Sequence, residues 1–146
     1  MEADRYITPE YESGHDISWF AADVSGEIAH FTTGGQGLIP TAVKRSLNAL
    51  TGIEAYFDNV VIDPKLESEA IKPILYFQRY EMIGIYSYDC DLEVMPRYYY
   101  RIALPTQPIK ITSIPLEIRH LVTRVTLDLR FSEKACIQEK EIEQDR

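Results

Sequence analysis

A chain of 146 residues, 45% apolar and 26% charged, has room for one compact core and the composition of a folded globular protein. Its formal charge of −8, from 23 acidic against 15 basic residues, argues against nucleic-acid and membrane binding and favours encounter with a basic protein partner. Two cysteines without CxxC spacing, Cys90 and Cys136, a charged opening from Met1 to Arg5 and no apolar run of membrane-spanning length lead to the expectation of a reduced, cytoplasmic protein.

Residues 1–15 read as a polar arm lying over the domain. Ile17 to Ala22 is rich in large apolar and aromatic groups and predicts a strand. Asp23-Val24-Ser25-Gly26 places an acceptor side chain and a glycine where a turn needs them. Glu27 to Thr33 then returns as the second strand of a hairpin. Thr33-Gly34-Gly35-Gln36-Gly37 breaks the sheet, and Pro40 suits the first position of a helix. Val43, Leu47 and Leu50 form one apolar stripe of that helix. Thr51 and Glu54 have capping-box spacing, which predicts a second short helix starting near Gly52.

Asp63-Pro64 reads as the start of a third helical stretch, broken by Pro73. The pattern is helical again from Pro73 to Ile83, with Gly84 as its terminating residue. Strand character returns over Ile85 to Asp89, a loop spans Cys90 to Pro96, and Arg97 to Leu104 is a further strand. Ile109 to Ile114 reads as a short edge segment and Pro115 to Val122 as a helix. The alternation of Leu127, Leu129 and Phe131 with charged residues predicts a last strand. Gln138 to Arg146 reads as a frayed, charged tail. Together these predict a single α+β domain over residues 1–146, with an N-terminal β-hairpin, a mostly antiparallel sheet and several short helices.

No catalytic constellation emerges. Gly34-Gly35-Gln36-Gly37 lacks the Lys-Ser/Thr that a phosphate-binding loop needs, since Leu38-Ile39-Pro40 follows, so it reads as a turn. His15, His30 and His120 are isolated in sequence and show no metal-ligand spacing. No GxSxG elbow is present. The expectation is no cofactor and no metal, with enzyme activity left open because a carboxylate pair assembles only in three dimensions. The ten tyrosines are more distinctive. Along strands, Tyr86 pairs with Tyr88 and Tyr98 with Tyr100, which with Asp89 and Asp91 compose a candidate interaction surface. The competing reading has one member of each pair filling the core with its hydroxyl at the rim.

The run from Ile17 to Asp23, Gly26 to Phe31, and Thr33-Gly34-Gly35 with Pro40 resembles the opening of a family of small uncharacterised bacterial proteins. Gly84 to Asp89, Tyr100 to Pro105 with Pro108, and Ile114-Pro115 with Phe131 are similar as well. The family is loosely similar to toxin-neutralising immunity proteins. The resemblance implies a bacterial source and a protein-binding role, and carries over no site residues. The expected function is a non-enzymatic binding module of immunity type, with an oligomer allowed. The alternative is a small-molecule binder or modest enzyme with a pocket near the Gly34–Gly37 loop and the Tyr86–Asp89 strand.

Overall fold

Asp23 turns the chain at the first hairpin. Its Oδ1 accepts the N–H groups of Ser25 and Glu27 at 2.9 and 3.0 Å, while Gly26 takes φ +79°, a conformation that costs a residue without Cβ little. The flanking residues pair as expected: β1 (Ser18–Ala22) and β2 (Ile28–Thr32) are antiparallel, in register from Ser18↔Thr32 to Ala22↔Ile28. These are the first strands of a computed structural model that describes residues 4–35, 37–60, 76–91 and 98–143.

Among the described residues the sheet has five strands in chain order, continuing with β3 (Tyr86–Asp91), β4 (Tyr98–Ala103) and β5 (Cys136–Gln138). Only the β2–β3 pair is parallel, and parallel neighbours require a long crossover. The helices lie around this sheet: α1 (Pro9–Gly14), α2 (Thr41–Lys44), α3 (Leu47–Asp58), α4 (Tyr76–Met82), α5 (Leu116–Val122) and α6 (Glu139–Ile142). The architecture is the expected α+β class.

One face of the sheet is an aromatic slab. Trp19 stacks on Phe31 at 4.0 Å between ring centroids, Phe31 stacks on Tyr88 at 5.1 Å, and Phe131 closes on both Phe31 and Tyr88. Cross-strand register brings these rings together, because Trp19, Phe31 and Tyr88 are direct partners. The opposite face carries Phe20 and His30, covered by Phe57 of α3 and Tyr80 of α4. Both faces of β1 and β2 are therefore buried throughout, which explains runs with little polar alternation.

Several boundaries differ from the sequence reading. The helical region after Pro40 divides at Ser46 rather than at Gly52. Ser46 Oγ accepts the Ala49 N–H at 2.9 Å and caps α3, whereas Thr51 donates its hydroxyl to the Asn48 carbonyl and lies inside the helix. Ile109–Ile114 forms a bridge from Lys110 to Glu27 followed by a 3-10 turn. Leu127 to Phe131 is not a strand of the sheet. It runs beside the end of β1 through Leu127 N–H to Ala22 O and Val24 N–H to Leu129 O, and its buried Leu127 and Phe131 satisfy the apolar pattern without a ladder. The last strand is β5.

The first and last stretches of the described residues are drawn into the fold. Ile7 is buried and its N–H donates to Lys44 O. At the other end Ile142 is fully buried on α6, where a frayed tail was expected. The helix expected at Asp63-Pro64 and the start of the one at Pro73 lie outside the described residues.

Candidate functional site

The strand registers place five residues in one line across the whole sheet: Ser18, Thr32, Asp89, Tyr100 and Cys136. All but the rim residue Cys136 have oxygen side chains, and the row passes from buried to exposed. Ser18 and Thr32 are buried, Asp89 is half-buried, and Tyr100 and Cys136 are exposed. The row crosses the carboxyl ends of the parallel pair β2 and β3, the position where open sheets with parallel strands present loops and ligands.

At the dry end, Ser18 belongs to a closed hydrogen-bonded cluster centred on His30. His30 Nε2 lies 3.0 Å from Ser18 Oγ and 3.1 Å from Tyr76 Oη, its Nδ1 lies 3.3 Å from Ser87 Oγ, and Ser18 Oγ and Tyr76 Oη are 3.2 Å apart. The Tyr80 ring stacks on the imidazole at 4.1 Å. Burial pushes the His30 pKa down to about 3, so the ring is neutral at pH 7, accepting a hydroxyl proton on one nitrogen and donating from the other. A serine beside a histidine invites a nucleophile–base reading. Here His30 is 0% exposed and Ser18 9%, and the cluster's bonds link β1, β2, β3 and α4 to one another.

The glycine loop is likewise occupied from within. Gly34 N–H donates to Asp16 Oδ1, Gly35 N–H to Thr33 Oγ1 and Gly37 N–H to Thr33 O. A Cβ on Gly37 would lie 2.6 Å from Tyr99 Oη, so the loop is pressed onto the core. These amides stabilise the turn and are not aimed at a phosphate. Under Phe20, between α2, α3 and α5, a cavity of about 20 Å³ has room for about one water at most.

The six residues of the expected surface separate into two groups. Tyr86 and Tyr88 are 1% and 0% exposed, which corrects their place in a surface belt. Tyr86 donates to Glu27 Oε1 at 2.6 Å, and Tyr88 donates to Phe131 O and Lys134 O. On this buried strand both tyrosines pack into the core, where the competing reading had one of the pair, and their hydroxyls find acceptors at its rim. Burial raises the pKa of both phenols above the usual value. Asp89, Tyr98 and Tyr100 are half-buried or exposed. Asp91 pairs with Tyr98 through its backbone, and its side chain lies outside the described residues. Alternate residues continue the exposure along β4 and beyond, at Ile102 and Leu104. A register shift opposite Ser87 and Tyr88 keeps Arg101 beside Tyr88 and lets Ala103 bury itself. Arg101 donates to Phe131 O and Arg79 to Asp58 O and Val60 O.

The Ser18–His30 contact and the polar row escaped the sequence reading because their neighbouring members are separated by 11 to 58 residues. Among the described residues no group of three or more metal-ligating side chains is assembled, and no described helix is long and apolar enough to cross a membrane. Comparison with protein-family models, curated proteins and solved structures finds no match to this chain.

Proposed function

We propose that this chain is a non-enzymatic protein-binding module that takes a basic partner, acting in the cytoplasm as an immunity-type inhibitor of a bacterial toxin. The observation that carries this reading is the rim of β4. Tyr100 and Ile102 are each 37% exposed and Leu104 48%, and Tyr100 is the cross-strand partner of the half-buried Asp89. Single exposed apolar residues are ordinary, but a run of them edged by a carboxylate has the composition of a contact surface. Tyrosine gives large contact area with few rotamers to freeze. The charge of −8 adds long-range attraction for a basic partner and speeds encounter.

The test is capture from the native host by the tagged protein at low and moderate salt. One stoichiometric basic protein is expected, its retention falling as salt rises. No stoichiometric partner at either salt would end the reading. A toxic reading frame beside the gene, neutralised by co-expression of this chain, would establish the immunity role.

The small-molecule alternative draws on the Ser18–His30–Tyr76 cluster, which lies beside β3. A thermal-shift screen against polar metabolites decides for it only if a hit is lost in His30→Asn and leaves protein capture unchanged.

A further inference from the structure

From Asp4 to Asp16 the chain buries one side chain, that of Ile7. The rest of this arm is α1, none of whose residues is buried, and its cap, where Thr8 Oγ1 accepts the Tyr11 N–H at 3.2 Å. The arm is fastened at the corner between α2 and α3. Ile7 N–H donates to Lys44 O at 2.8 Å, and Leu47 N–H to Arg5 O at 2.9 Å. Asp4 Oδ1 accepts the Asn48 N–H at 3.0 Å, and its Oδ2 accepts the hydroxyl of Ser46, whose oxygen takes the Ala49 N–H in turn. A carboxylate of the arm thus sits on the N-terminus of a 12-residue helix, where unpaired amides and the helix dipole favour an anion. Further along, the arm is tied by the partly exposed Glu12–Lys44 pair at 3.5 Å, by half-buried Tyr11 and by the bond from Gly34 N–H to Asp16. An ion pair so exposed contributes little. Local opening costs least where few apolar groups are buried, so the arm contrasts with β1 and β2, which are buried along their whole length.

We propose that residues 4–7 form a releasable strap, which opens as one unit ahead of the sheet and in opening uncaps α3 and uncovers the seat of Ile7. The two anchors lie close together on one short segment, so the departure of either loosens the other. Asp4 reaches α3 both directly, at Asn48, and through the Ser46 hydroxyl to Ala49. The strap and the first turn of α3 therefore share one equilibrium. Coupling of this kind is reciprocal: whatever binds the uncapped helix end or the vacated apolar seat draws the strap open, and whatever holds the strap closed excludes such a ligand. The device does not depend on the protein-binding reading.

The test is amide hydrogen exchange of the whole protein, followed by NMR over urea concentrations below the unfolding transition. The N–H groups of Ile7, Leu47, Asn48 and Ala49 are expected to share one opening free energy and one shallow urea dependence. They should exchange about 100-fold faster than those of Trp19 and Phe31, paired in the sheet. Each anchor is then perturbed and read at the other. Ile7→Ala should speed exchange at Leu47, Asn48 and Ala49 about 30-fold or more. Asp4→Asn, which keeps the shape and removes the charge, should speed it about 5-fold at Ile7 as well as at Asn48 and Ala49. Exchange of the set at the rate and urea dependence of the sheet would overturn the proposal, since the strap would then leave only when the whole protein unfolds. Asp4→Asn acting on Asn48 and Ala49 with Ile7 unmoved would overturn it too, because Asp4 would then be a helix cap and nothing more.

Discussion

Replacing His30 with asparagine should alter how stability depends on pH more than how large it is at neutrality. The imidazole is sealed among Ser18, Ser87, Tyr76, Phe20, Phe77 and Tyr80, and burial, with no charged neighbour contributing, holds its pKa at about 3 against 6.5 in the unfolded chain. A depressed histidine pKa means that the unfolded chain takes the proton first. The stabilising contribution is therefore complete above pH 6.5 and is lost as pH falls toward 3. With ~1.4 kcal/mol for each pH unit, lowering the pH from 7 to 5 should cost the folded state about 2 kcal/mol through this one group. Glu54 acts in the opposite sense. Burial, and secondarily Asp58, raises its pKa to about 7, so its contribution is present below pH 4.5 and lost as pH rises through 7; partial exposure shrinks it. The two effects oppose each other between pH 4.5 and 6.5, and the wild-type profile should be flatter there than either group alone would make it. Urea unfolding at pH 7, 6 and 5 measures this directly. The gap between wild type and His30→Asn should shift by about 2 kcal/mol in favour of the variant at pH 5, and Glu54→Gln should unmask a steeper acid loss than wild type shows. Parallel profiles for wild type and His30→Asn would refute the reasoning, since they would mean that the folded protein accepts the proton as easily as the unfolded chain.

Asp23→Ala removes the acceptor for Ser25, Glu27 and the buried Phe131 N–H and should cost about 3 kcal/mol, read as a fall in Tm, with Asp23→Asn recovering part of it. Gly84→Ala places a Cβ 2.8 Å from Gln107 O at φ +94° and should destabilise by about 2 kcal/mol or more in urea unfolding. Tyr99→Phe removes the bond that Trp19 Nε1 donates and the one Tyr99 donates to Leu38 O. A loss of about 2 kcal/mol is expected, together with a change in emission from Trp19, the single tryptophan.

How much was legible depended on distance along the chain. The Asp23–Gly26 hairpin, the helix that begins after Pro115 and the helix ending before Gly84 were read correctly because turn chemistry, proline and glycine act within a few residues. Alternation misled at Leu127 to Phe131. Burying every second side chain does not by itself supply a hydrogen-bonding partner strand, and here only isolated bonds to β1 and the turn after it are made. Tyrosine content marked β3 and β4 as unusual but could not tell a slab from a surface, because the same residue serves both and only its neighbours decide.

The order of amino acids alone determined the class of fold, the first hairpin and most helix positions, since each follows from backbone preference and local apolar period. Folding in three dimensions decided that β2 and β3 run parallel, that His30 is walled in by Ser18, Ser87 and Tyr76, and that Asp89 stands with Tyr100 at the wet end of a polar row. Those outcomes depend on strand register and on which surfaces cover which, and such information is distributed over the whole chain rather than carried by any segment of it.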